Sequence, residues 1–168
     1  MQVEDFLLKL IQEVTRDSSW AWNESCLENF FKREGLKKTE SDLDRRLDYD
    51  SEDGEIDISV YLNELRRLDW LSLAIDAIEE PNTFEAEVYD AHIATLERQF
   101  QQTLERLENK LGAAYLSKES CSSEVIEHYC AIQIAIWSFS DFFTILKLEH
   151  QDPDVPITLD IIVSTALI

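Results

Sequence analysis

Glycine and proline are scarce, at three each in 168 residues. Sandwiches and doubly wound sheets need many tight turns and glycine-bearing loops, so this scarcity predicts long helices with few connections. It also excludes a phosphate-cradling Gly-rich loop and a G-x-S-x-G elbow, and no H-E-x-x-H is present. Cysteine is equally sparse. Cys26, Cys121 and Cys130 form no C-x-x-C pair and are odd in number, which argues against a disulfide framework and for a reducing, cytoplasmic setting. Cys130, in an apolar stretch, reads as a small buried hydrophobe.

Positive charge is the next shortage. Fifteen Lys and Arg stand against 35 Asp and Glu, a formal charge of −20 with an isoelectric point near 4.3. Such an excess repels nucleic-acid phosphates and anionic membrane surfaces, and it draws in basic proteins. The N-terminus, Met-Gln-Val-Glu-Asp-Phe, lacks the basic region and apolar run of a secretory signal. The longest apolar stretch contains Glu127, His128, Asp141 and Lys147, too many polar groups for a plain membrane span. A soluble protein is expected.

What is present is apolar bulk. Hydrophobic residues make up 45% and aromatics 10%, enough for one folded domain over 1–168. The pattern predicts an all-α domain, a bundle of five or six helices, carrying an acidic insertion at 40–57. A first helix buries Val3, Phe6, Leu7, Leu10 and Val14. A second, aromatic segment through Trp20, Trp22, Leu27, Phe30 and Phe31 stops at Gly35, with the two indoles anchoring the turn before it. A third helix is expected over 59–80 on the stripe Tyr61, Leu65, Leu68, Leu71, Ile75 and Ile78. A fourth runs over 83–111, behind Pro81 and a capping box at Asn82 and Glu85, on the narrow face Tyr89, Ile93, Leu96, Phe100, Leu104, Leu107 and Leu111. The central helix is expected at 124–149, where apolar residues surround the axis and demand neighbours on several faces. The tail over 158–168, rich in β-branched residues, is a last short helix or a strand that must be tucked away.

The acidic insertion holds Glu40, Asp42, Asp44, Asp48, Asp50, Glu52, Asp53, Glu55 and Asp57 against Arg45 and Arg46. Ile56, Ile58 and Val60 alternate with polar residues, which allows a short β-hairpin near 47–60 around Asp53-Gly54. Asp48, Asp50, Glu52 and Asp53 ahead of Gly54 invite comparison with a calcium loop, but the register fails. With Asp48 first, Asp53 falls where the glycine belongs and Ser59 where the bidentate Glu belongs.

Catalytic chemistry is not encoded by spacing. The residues three before His92, His128 and His150 are Tyr89, Val125 and Lys147, so no Glu-x-x-His metal pair exists. His92 and Cys130 read as core residues, and Asp141, among Phe139, Phe142 and Phe143, calls for a structural partner or the surface. No metal or cofactor is expected, and the protein is not expected to be an enzyme. The function expected is an acidic module that masks a basic protein partner, of the physical type of immunity proteins or antitoxins that neutralise nuclease toxins. Asp48, Asp50, Glu52, Asp53, Glu55 and Asp57 would carry the charge, and Tyr49 would be the anchor. The alternatives are a nucleic-acid mimic or regulatory adaptor, a small helical enzyme with a site near His92 or His128, and a homodimeric scaffold using the fourth helix or the tail. Monomer and homodimer are both compatible with the sequence.

Overall fold

The computed structural model describes residues 1–41 and 43–168; Asp42 lies outside the described residues. The chain divides into two compact units, Met1–Leu73 and Ala74–Ile168. Eighteen acidic against ten basic side chains give the first a formal charge of −8, and seventeen against five give the second −12. The all-α bundle is not what the chain forms. Four α-helices and eight strands are present among the described residues, and every described strand pairing is antiparallel.

In the first unit, α1 (Val3–Arg16) buries Phe6, Leu7, Leu10 and Ile11, with Glu4 and Asp5 in its first turn and Arg16 in its last, as the helix dipole favours. Helix α2 (Glu24–Arg33) starts at Asn23, whose side chain accepts the Cys26 N–H at 2.9 Å. It ends before Gly35, at φ +81. Four strands follow in the order β1 (Lys37–Thr39), β2 (Arg46–Asp50), β3 (Asp57–Leu62) and β4 (Leu68–Ile78), hydrogen-bonded in that sequence, with β4 belonging to this unit as far as Leu73. Residues alternate across the strands: Leu47, Tyr49, Ile58, Val60, Leu71 and Leu73 are buried, while Asp48, Ser59, Tyr61, Trp70 and Ser72 between them are half-buried. The inner aromatic cluster joins helices to sheet, with Phe6 5.6 Å from Phe30 and Phe31 4.7 Å from Tyr49. Trp20 meets Trp22 edge to face at 5.4 Å and Phe30 at 6.4 Å, so the indoles do anchor the turn.

In the second unit a 3-10 turn (Pro81–Thr83) precedes α3 (Ala86–Leu111), which buries Leu96, Phe100, Thr103 and Leu107. Its first residue is preceded by Glu85, which makes no side-chain cap, so the Asn82–Glu85 capping box does not form. Strand β5 (Leu116–Ser117) and the short helix α4 (Ser123–His128) lead into β6 (Ala131–Ser138), β7 (Phe143–Glu149) and β8 (Ile157–Ser164), ordered β8-β7-β6-β5.

Two expected helices are therefore strands. The 124–149 stretch becomes α4 and the β6–β7 hairpin, because a segment apolar on alternate and intervening positions alike suits a strand buried on both faces. Ile136, Ile145 and Leu146 are all fully buried there. The 59–80 stretch becomes β3 and β4, turning at Asn63–Arg67, where Asn63 N–H donates to the Arg67 carbonyl at 2.9 Å. Leu65, counted in the helical stripe, stands at the tip of that turn and is 77% exposed. The premise about glycine fails for a local reason: Trp22, Arg66, Glu80 and Cys130 take left-handed backbone angles, φ 47 to 58, that usually fall to glycine. Cys130 lies in one of these bends, half-buried, rather than on an apolar helix.

Candidate functional site

The strand alternation divides the acidic segment in three. Tyr49 points inward; it is 3% exposed, its ring lies against Phe31, and its hydroxyl donates to Glu28 Oε1 at 3.3 Å. Burial, then Glu28, pushes its phenol well above the ordinary range. As placed, it is a core residue rather than a contact anchor.

Glu52, Asp53 and Glu55 occupy the β2–β3 turn. The Lys37 ammonium pairs with Glu52 and holds its carboxyl below the usual range. Asp53 accepts the Ser51 hydroxyl and the Glu55 N–H at 3.1 Å, and lies 3.5 Å from the amino terminus, which together lower its carboxyl. These groups build the turn.

Asp48, Asp50 and Asp57 share the outer face. Asp50 is directly opposite Asp57, Asp48 opposite Ser59, and Arg46 opposite Tyr61. On the next strand Ser59 faces Ser72 and Tyr61 faces Trp70. The last two rings stack, with centroids 3.8 Å apart and planes 18° from parallel. Asp48 Oδ1 accepts Arg46 Nε at 2.8 Å and the Ser59 hydroxyl at 2.7 Å. Among the described residues no hydrogen bond or ion pair reaches the Asp50 or Asp57 carboxylate. The Asp57 carboxyl is pushed up by burial, then by the charges of Asp50 and Asp48, against the opposing pull of Arg46. The face thus joins three carboxylates to a stacked aromatic pair in one strip contiguous by register, a combination that can hold a cation by charge and by ring face.

Arg46, Ser59, Tyr61, Trp70 and Ser72 were not expected in the site. For the last four the period of two was the available signal, and the helical reading of 59–80 hid it; Arg46 stood in the acidic insertion as a counter-charge only.

Elsewhere each histidine has an aromatic neighbour. His92 packs on Phe84 at 4.8 Å, His128 on Tyr129 at 4.8 Å, and His150 Nδ1 lies 2.8 Å from the Tyr89 hydroxyl. Asp141 is exposed in the β6–β7 turn, where Ser140 donates to it, and no arginine is needed to hold it. Among the described residues no three His, Cys, Asp or Glu side chains are grouped to hold a metal ion, and no helix is long and apolar enough to cross a membrane. Compared with known proteins, the chain matches no family model, no curated protein and no solved structure.

Proposed function

We propose that the chain is a protein-binding module whose first unit masks a basic partner protein, in the manner of immunity proteins and antitoxins. The observation that carries this reading is the Asp50–Asp57 pair, whose carboxylates make no ion pair among the described residues, on a face that also offers the Tyr61–Trp70 stack. Like charges directly opposite on neighbouring strands destabilise a sheet. Lysine or arginine from a partner relieves that repulsion, and the aromatic pair supplies the contact area on which such interfaces depend. The net charge of −20 speeds the encounter. Cys26, Cys121 and Cys130 are all free thiols, which suits a reducing cytoplasm.

The test is binding of a fluorescent nona-lysine peptide to the wild-type chain and to the Asp50→Asn, Asp57→Asn double variant, at low and moderate salt. The reading expects the double variant to lose about tenfold in affinity, mostly through the on-rate, with a shallower salt dependence. Equal affinity and equal salt slope for the two proteins would remove the outer face as the binding surface.

A further inference from the structure

The Arg46 guanidinium lies on the outer face of the first unit's strands, and three groups surround it. Nε donates to Asp48 Oδ1 at 2.8 Å, Nη2 donates to the Ser59 hydroxyl at 3.1 Å, and the Tyr61 ring centroid is 5.5 Å from the guanidinium carbon. Ser59 itself donates to Asp48 Oδ1 at 2.7 Å, so hydroxyl and carboxylate are oriented together. Trp70 backs the Tyr61 ring at 3.8 Å. A carboxylate, an oriented hydroxyl and an aromatic face around a planar cation are the elements with which proteins hold an arginine side chain.

The occupant comes from within. Arg46 is two residues from Asp48 on the same strand, and its side chain keeps 36% exposure. A pair whose guanidinium stays this open to water adds little to stability, so it is displaced at little cost. An incoming arginine makes the same contacts with Asp48, Ser59 and Tyr61, and the cation it displaces is free to pair with Asp50 and Asp57, on which Arg46 now acts only from a distance. Lysine is a poorer substitute. Its compact ammonium cannot span Asp48 and Ser59 in a plane over the Tyr61 ring.

We propose that Asp48, Ser59, Tyr61 and Trp70 form a receptor site for an arginine side chain of the partner protein, filled by Arg46 until that arginine replaces it. This inference rests on the proposed function, since it names the partner residue that the same face selects.

Fluorescent nona-arginine and nona-lysine peptides serve as probes, titrated against wild type, Arg46→Lys, Arg46→Gln and the Asp50→Asn, Asp57→Asn double variant, with melting curves to confirm folding. Arg46→Lys takes the planar guanidinium out of the site at constant net charge. It is expected to tighten nona-arginine about fivefold, as removal of a self-occupied state does, and to leave nona-lysine within about twofold. Arg46→Gln removes a positive charge and so tightens both peptides, with nona-arginine gaining more. An Arg46→Lys protein that binds nona-arginine no tighter than wild type, or that gains equally on both peptides, overturns the arginine site while leaving the acidic face in place. A double variant that binds both peptides as wild type does overturns the acidic face, and the arginine site with it.

Discussion

Asp50 and Asp57 stand directly opposite each other across β2 and β3, and the nearest cation in register, Lys37 on β1, sends its ammonium to Glu52 instead. The pair works against the fold. Asp57→Asn is expected to stabilise the chain at neutral pH by about 0.2–1 kcal/mol, the usual size of a cross-strand charge term. The sign follows from the raised Asp57 carboxyl. The folded state takes up its proton more readily than the unfolded state, so this group favours folding more as pH falls and opposes it as pH rises through the folded value. The advantage of Asp57→Asn should therefore fade in acid, toward the ordinary carboxyl value of 3.8. Melting curves of both proteins at neutral and acidic pH measure it.

Trp70 is half-buried and stacked on Tyr61 at 3.8 Å. Trp70→Ala should weaken binding of the nona-arginine peptide by about tenfold or more, in line with aromatic anchors at interfaces. Because the lost contact is not a charge, the loss should persist at high salt, unlike that of the Asp50→Asn, Asp57→Asn variant. Titrations at two salt concentrations distinguish the two behaviours.

Tyr129 titrates far from its ordinary 10.0, pushed up by burial to about 12, and its hydroxyl donates to the Leu167 carbonyl at 2.6 Å. Folding favours the neutral phenol. Its contribution is fully present below pH 10 and is lost as pH rises toward 12, where the unfolded chain is ionised first. Phenolate absorbance should show a titration near 12 that is missing from Tyr129→Phe, and the melting temperature of the wild type should fall more steeply over that interval.

Lys147 is buried at 8% exposure, paired with Glu149, and its ammonium lies 5.9 Å from the Tyr129 ring centroid. Burial holds its amine below the usual range, although Asp160 and then Cys130 pull the other way. Lys147→Met leaves Glu149, whose side chain is only 13% exposed, with the Gln151 amide but no cation, and should cost about 3 kcal/mol, the size found when one member of a buried pair is removed. The Lys147→Met, Glu149→Gln double variant should be more stable than Lys147→Met alone. Denaturant unfolding of the three proteins decides.

The helices α1, α2 and α3 were legible because each has one apolar stripe and a clear stop; Gly35 and Gly112 end two of them. The β2–β3 hairpin was legible from the alternation through Ile56, Ile58 and Val60. Strands β4, β6 and β7 were not. Leu68, Leu71, Ile75 and Ile78 satisfy a helical spacing, and Leu71, Leu73 and Ile75 satisfy a strand's, so periodicity alone did not choose between them. Turn residues would have chosen, but the left-handed positions are held by Arg66 and Cys130, and Asn63, whose side chain accepts the Leu65 and Arg67 N–H groups, was the one turn signal between β3 and β4. The site followed the same pattern. The carboxylates were visible as a run of charge, whereas Tyr49 could be assigned to the inner face, and Tyr61 and Trp70 to the outer one, only once the strands were known. A second acidic run lies further along: between Arg67 and Arg98 there is no Lys or Arg, and Asp76, Glu79, Glu80, Glu85, Glu87, Asp90 and Glu97 all fall there.

That second acidic stretch makes the decisive measurement a mapping rather than an affinity. Backbone amide shifts of the labelled chain, followed through a titration with nona-arginine peptide, report which residues the cation reaches. The account predicts that the largest changes fall on Arg46, Asp48, Asp50, Asp57, Tyr61 and Trp70. Changes concentrated instead between Asp76 and Glu97, or spread evenly over every carboxylate, would contradict it.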